Sequence, residues 1–388
     1  MASNYKKLGN YIHEIDIRNN DSQINNLVGV SINKNFMPSV ANTIGTDLKN
    51  YKIISKNQFA CSLMQVSRDG GVAISLYKQN QQSIMSPAYY LFEVNDIKEL
   101  LPEYLELIVY SSEFDREAVF NAIGGVRGTL TWEDFCNLEV NIPDIEEQKK
   151  IVREFQTIKS QINAISKENV NLQNLGILNL CSVIGFDSIV NKTEKEISEF
   201  ELPENCSIST VKDFCKNITS GGTPNRGISE YYNGSINWLK SGEVHNNIIT
   251  NTEEKISEMG LKNSSAKIFP KNTVLMAMYG VTAGEVGLLD IETSTNQAIC
   301  GMICNSFEDA SLLYFSLRKN QIDIKRLANG GAQDNLNQDI IKETKIIIPN
   351  ETAKTKLYCS NFMNRLIINS RLLHQLQKML DLLLLKIC

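Results

Sequence analysis

From Ile151 onward, apolar side chains recur at alternating spacings of four and three: Ile151, Phe155, Ile158, Ile162, Ile165 and Leu172, with Asn169 taking one place in the series. A second series, Phe362, Leu366, Asn369, Leu373, Leu376, Leu380, Leu383 and Ile387, obeys the same rule. On a helix this spacing lays the apolar groups along one seam, the heptad pattern of a coiled coil. Asn169 and Asn369 then fall in the seam, where a buried amide costs stability but fixes register or orientation. Either segment alone would be satisfied as an amphipathic helix lying on its own domain. Two in one chain each supply the seam that the other must bury, so an intramolecular coiled coil is the better reading. A helix over residues 146–180 would span ~50 Å at 1.5 Å per residue and hold globular domains well apart.

The segments preceding these helices are written twice. GGVRGTLTWEDFCNLEVNIP (Gly124–Pro143) and GGAQDNLNQDIIKETKIIIP (Gly330–Pro349) align at a constant offset of 206 without a gap. Identical pairs include Gly124/Gly330, Gly125/Gly331, Leu130/Leu336, Ile142/Ile348 and Pro143/Pro349. Thr131 aligns with Asn337, both good helix N-caps, and Glu133 with Asp339, both acids suited to a first turn. LEVNIP and KIIIP read as strands halted by a proline, which cannot donate to a ladder. YKIISKNQF, from Tyr51, and AKIFPKNTV, from Ala266, match at an offset of 215, and LGNYIHEI, from Leu8, matches VKDFCKNI, from Val211, at 203. Offsets that drift while their order is kept are those of a duplication with loop insertions. The expected class is α+β: two tandem pseudo-repeated α/β domains at residues 1–143 and 205–349, separated by helical segments at 144–204 and 350–388.

Composition bounds what such a chain can do. At 388 residues, with 42% apolar and 21% charged, it has material for two or three cores and needs no disordered class. The net charge of −5 argues mildly against a nucleic-acid binder, because a basic surplus usually neutralises phosphates. Nine cysteines without regular spacing fit reduced thiols, and Cys300 with Cys304, lacking a second pair or a nearby His, makes a poor zinc site. MASNYKKLGN carries no signal pattern, and LLLLKIC falls far short of the ~18 residues of a membrane span, so a cytoplasmic protein with no membrane partner is expected.

Catalytic motifs are scarce. There is no G-x-x-x-x-G-K-[ST] phosphate loop and no G-x-G-x-x-G opening a helix after a strand. Three histidines, His13, His245 and His374, supply general-base chemistry poorly. Prolines never occur in pairs, which excludes the Asn-Pro-Pro-aromatic signature of amino-methyltransferases. Glu147 and Lys149 superficially fit a nuclease pair, but they follow Asp144 too closely and read as charge at a helix start.

What remains is loop chemistry suited to recognition. ITSGGTPNRGISEYYNGSINWLKSGEV combines flexible glycines with Arg226, Tyr231, Tyr232, Trp238 and Lys240. Glycines let backbone approach a ligand closely, while Arg, Lys and Tyr contact phosphates or base edges. Trp238 by itself is expected in the core. This run, followed by KNTVLMAMYGVTAGEVGLLDIETSTNQAICGMI and then GGAQDNLNQDIIKETKIIIP, resembles a target-recognition domain of type I restriction-modification specificity subunits. The first half is similar to another branch of that domain, through NLVGVSINKNFMPSVANTIGTDLKNYKIISKNQFACSLMQVSRDGGVAIS, SPAYYLFEV, LPEYL and FDREA. The resemblance covers essentially the whole chain, and the two helices match the family's central and C-terminal conserved regions. The first half departs from the pattern in lacking the Gly-Gly-Thr-Pro of Gly221–Pro224. It also reads Phe59, Ala60, Cys61, Ser62 where many relatives read Phe-Ala-Tyr-Asn-Pro.

The resemblance implies a non-enzymatic subunit without cofactor. Two target-recognition domains would each grip one half of a bipartite site in double-stranded DNA, with an antiparallel helical pair as spacer. Two adenine-N6 methyltransferase subunits, which would hold S-adenosylmethionine, dock on it, and a translocating nuclease subunit can join. Half-site centres would lie on the order of 34 Å apart, one helical turn. Polarity, glycine context and the matching loops nominate DNA contacts at Lys34, Gln65, Arg68, Ser86 and Arg127 in the first half. In the second they nominate Arg226, Lys240, Ser241, Tyr279, Thr282, Gln297, Gln333 and Asn335. Two alternatives stay open at this point: a stand-alone DNA-modifying enzyme with an unrecognised site, and a coiled-coil scaffold without sequence preference.

Overall fold

The computed structural model describes residues 4–39, 46–122, 128–328 and 335–387. The chain forms two compact units, one comprising residues 1–161 with 376–388 and the other residues 162–375. The first is built on a four-stranded antiparallel sheet in the order Ile12–Ile15, Tyr90–Val94, Phe59–Ser62, Ala73–Leu76. The second repeats that order with Asn217–Ser220, Ile299–Ile303, Val274–Ala277 and Val286–Leu289, and adds Ile248–Ile249 as a fifth, parallel strand. Val274–Ala277 and Val286–Leu289 are buried at every position. Their runs VLMA and VGLL accordingly show no apolar-polar alternation.

The duplication holds at the level of single hydrogen bonds. Leu8 N–H donates to Leu138 O at 2.9 Å, and Val211 N–H to Thr344 O at 3.0 Å, offsets of 203 and 206. Behind these bonds Tyr5–Lys7 pairs with Glu139–Asn141, and Cys206–Thr210 with Lys345–Pro349. Pro349 is the last residue of its strand, where the missing donor is harmless. Asn57 and Asn272, identical at the 215 offset, adopt φ of 69° and 68°. Both turn the chain into a central strand, and asparagine tolerates that left-handed conformation better than most side chains. The caps are as the sequence predicts: Thr131 Oγ1 accepts from Asp134 N at 3.0 Å and Asn337 Oδ1 from Ile340 N at 2.8 Å.

Both predicted long helices form, at Ile145–Ile184 and Cys359–Ile387. Asp144 caps the first by accepting from Glu146 N and Glu147 N, each at 3.0 Å, and Lys149 pairs with Glu146 at 2.8 Å. Glu147 and Lys149 are therefore first-turn charges. In the second unit the helices run antiparallel: Asn179 Oδ1 accepts from Tyr358 N at 2.8 Å, and Arg365 pairs with Glu168 at 2.9 Å. The seam asparagines meet, Asn369 Nδ2 donating to Asn169 Oδ1 at 2.9 Å with Asn369 buried. In the first unit Ile387 and Leu384 join a core with Ile151, Val152 and Phe155. Gly176 sits inside the first helix, about two turns from its C-terminal end, where glycine costs roughly 1 kcal/mol against alanine. A Cβ there would lie 2.3 Å from the Phe315 ring, so the residue is needed for close packing against helix Phe307–Lys319.

Lys34, one of the residues nominated for DNA, serves the fold of the first unit. It turns a hairpin, Val28–Val30 with Phe36–Pro38, at φ +59°. Its ammonium is buried, bonded to Val109 O and 2.7 Å from Asp115, which also accepts from Val72 N at 3.0 Å. Burial pushes its pKa down, opposed by Asp115. A buried charge stripped of its partner is far costlier than the pair is worth. Replacing Lys34 by methionine is expected to destabilise this unit by about 3–5 kcal/mol. Amide hydrogen exchange measures the effect, with faster exchange in peptides of residues 4–122 and none in peptides of residues 205–328.

Candidate nucleic-acid interface

In each unit two adjacent strands of the sheet, one of them central, are joined by a turn of the same design. Phe59–Ser62 leads through Leu63 to Gln65 at φ +63°, a single helical turn Val66–Asp69, and Gly70 at φ +73°. Val274–Ala277 leads through Met278 to Gly280 at φ +70°, a tight turn, and Gly284 at φ +79°. Gln65 and Gly280 stand at the 215 offset, so the chain reverses hand at the same place in both repeats.

A second segment is stapled onto each turn by an equivalent bond. Leu130 N–H donates to Leu63 O at 2.9 Å, and Leu336 N–H donates to Met278 O at 2.8 Å. In the first unit this brings Gly128, at φ +68°, so close to the turn that a Cβ would fall 1.8 Å from Ser67 Oγ. Gln65 and Arg68 are exposed beside it, Arg68 bonded to Asp69 at 2.8 Å. In the second unit the bond sets exposed Asn335 next to Tyr279, which is 43% exposed, and the half-buried Thr282. Arg127 and Gln333, nominated on these same segments, lie outside the described residues.

The second unit gathers further loops at this place through successive backbone bonds. Asn296 N–H donates to Leu239 O at 2.9 Å and Met278 N–H to Ala298 O at 2.8 Å. Lys240, Gln297, Tyr279 and Asn335, nominated from four separate stretches, each sit one residue from a member of this ladder. Ser241 follows Lys240 in a 3-10 turn, Ser241–Glu243. Thr223 Oγ1 bonds Gln297 Oε1, which attaches the Gly-Gly-Thr-Pro loop. Ser86 stands in a turn of the first unit, its carbonyl accepting from Tyr89 N at 3.1 Å and its hydroxyl from Ala88 N at 3.4 Å.

Two features differ from what the loops suggest in sequence. The glycines of Gly221–Pro224 do not make room for a ligand. Added Cβ atoms would lie 2.1 Å from Thr295 Oγ1 and 2.4 Å from Ala266 N, so the chain's own atoms fill that space. Trp238 is core, as expected, with Nε1 donating to Gly222 O at 3.1 Å. The cations are also not free. Arg226 lies over the Tyr232 and Trp238 rings, 4.6 and 4.8 Å from their centroids, and pairs with Glu254 at 2.6 Å. Lys240 reaches Glu253 at 2.7 Å and Glu254 at 3.2 Å. The bond from Arg226 holds the Glu254 carboxyl below its usual range, while the bond to Glu253 raises Lys240. Glu253 and Glu254 escaped the sequence reading because nothing local marks a partner 13 to 28 residues away.

Known proteins share this architecture. Residues 12–174 and 203–380 each match the family described as the type I restriction modification DNA specificity domain. The specificity subunit of type I restriction enzyme HindI from Haemophilus influenzae is 22% identical over 332 residues, spanning 69% of this chain and 72% of that protein. The MjaIX specificity subunit from Methanocaldococcus jannaschii is 26% identical over 168 residues, which is 42% of this chain and 38% of that relative. The crystal structure of a type I restriction-modification S subunit from M. genitalium aligns over 98% of this chain and 94% of that one, with a TM-score of 0.53 at 15% identity. The two family matches together take in most of the sequence, and the chain belongs to the type I restriction-modification DNA specificity family.

Proposed function

We propose that this chain is the sequence-specificity subunit of a type I restriction-modification complex. In this reading each unit reads one half of a bipartite site in double-stranded DNA. The long helices set the spacing and dock two adenine-N6 methyltransferase subunits, and a translocating nuclease subunit can join them. Catalysis and S-adenosylmethionine then belong to the partners. The observation that carries the proposal is the twice-built turn: the same left-handed switch and the same stapling bond, at Leu63/Leu130 and Met278/Leu336, present different exposed residues. A duplicated scaffold with divergent tips suits two half-sites of different sequence. A degenerate scaffold would have no need to keep four loops converged on one turn.

The contacts follow from exposure. Gln65, Arg68 and the Arg127 segment serve the first half-site; Tyr279, Thr282, Asn335, Gln297 and the Gln333 segment serve the second. Ser86 and Ser241 are placed at the margins, and Lys34 is left to the fold. Arg226 and Lys240 face phosphates, which compete with Glu253 and Glu254 for them. Such a clamp suppresses non-specific attraction in a chain of net charge −5.

Deleting the gene and mapping N6-methyladenine across the host genome should remove one bipartite motif; an unchanged methylome sinks the proposal. Within the assembled complex, alanine at Asn335 or Arg68 should cost roughly 1–3 kcal/mol for a base contact and relax a single position of the motif. The double change Glu253→Gln and Glu254→Gln should tighten binding to duplexes of any sequence while leaving the motif intact, measured by competition at two salt concentrations. Unchanged affinity would take Arg226 and Lys240 out of the interface.

A further inference from the structure

Val66 and Val281 stand at the 215 offset, one residue beyond the left-handed switch of each turn. In the first unit Val66 is wholly buried in the core, as an apolar side chain should be. In the second, Val281 is 99% exposed. The difference lies in the length of the turn after the switch. A helical turn folds Val66 inward, whereas Gly280–Thr282 is one residue shorter before its closing glycine and throws Val281 outward.

The outward position is rigidly held. Ala283 N–H donates to Gly280 O at 3.0 Å, Glu285 N–H to Thr282 O at 2.9 Å and Gly284 N–H to Ala277 O at 2.8 Å. Val281 thus projects from a braced turn among groups able to hydrogen-bond base edges: Tyr279, Thr282 and, through the Leu336 staple, Asn335. In the major groove the one apolar feature that base pairs offer is the thymine C5 methyl. We infer that Val281 reads a thymine methyl in the second half-site, a specificity-determining contact with no counterpart in the first, whose matched valine is spent on the core. The inference rests on the proposed reading of this unit as a DNA-recognition domain. The polar neighbours of Val281 favour a base-pair edge over a protein surface as its cover.

The test uses the full chain assembled with its methyltransferase subunits, on duplexes carrying its mapped methylation motif. Each thymine of the second half-site is replaced in turn by deoxyuridine, which removes only the methyl. One replacement should weaken binding by about four-fold, the effect of one buried methyl group, and Val281→Ala should abolish that discrimination while binding uridine-containing DNA as well as the native complex does. Val281→Ala removes no buried contact, and an unchanged thermal unfolding curve checks that the fold is kept. Absence of any thymine in the second half-site overturns the inference and leaves the specificity role standing, and so does a methyl effect that persists in Val281→Ala. A complex without any sequence preference removes the underlying reading as well.

Discussion

The backbone bond from Leu130 to Leu63, repeated from Leu336 to Met278, is the constraint on which the exposed turn of each unit depends. A turn joining two paired strands is braced by their ladder, whereas the segments that enter at Gly128 and Asn335 lie outside it. One N–H donated to the carbonyl just before the left-handed switch fixes the loop against the turn. A buried apolar side chain on either side keeps water from competing, Leu63 and Leu130 in one repeat, and Leu336 with Met278 in the other. The exposed residues on both segments then act as one surface, and they can diverge because the bond uses only main chain. In the second unit the same logic extends outward through Ala298 and Asn296, so four separate stretches are tied together by main-chain bonds alone.

Electrostatics in the second unit are arranged for restraint. Arg226 spends its planar face on Tyr232 and Trp238 and its edge on Glu254, while Lys240 is shared between two glutamates. Exposed pairs of this kind add little stability, commonly about 0–1 kcal/mol. Under the proposed function their weakness would let a phosphate displace a carboxylate. Lys34 is the opposite case, a cation whose partner is inside and whose charge supports the hairpin instead of a ligand.

The long helices use polarity for another purpose. Asn169 and Asn369 bond each other in an otherwise apolar seam, and a slip of register would break that bond at the buried Asn369. Arg371 adds a second tie in the same unit, with Nε and Nη2 on one edge of its guanidinium donating to the two carboxylate oxygens of the buried Asp290 at 2.5 and 2.7 Å, and Lys271 also holds that carboxylate at 2.8 Å. Among the described residues no helix is long and apolar enough to cross a membrane.

Sequence by itself determined what depends on neighbours along the chain. Heptad spacing named both helices and their seam asparagines, because helix periodicity is local. The offsets of 203, 206 and 215 named the repeat, and Thr131 and Asn337 named their caps, because a cap needs only a side chain and an N–H three residues on. The tertiary structure decided whatever needed a partner from elsewhere. Lys34 looked like a surface cation because Asp115 is 81 residues away, and Gly221 and Gly222 looked like a ligand cradle because Thr295 and Ala266 are not nearby in sequence. Val66 and Val281 show the limit most plainly. They are the same residue at the same step of the same repeat, and a difference of one residue in turn length, acting through backbone hydrogen bonds, puts one in the core and the other in solvent.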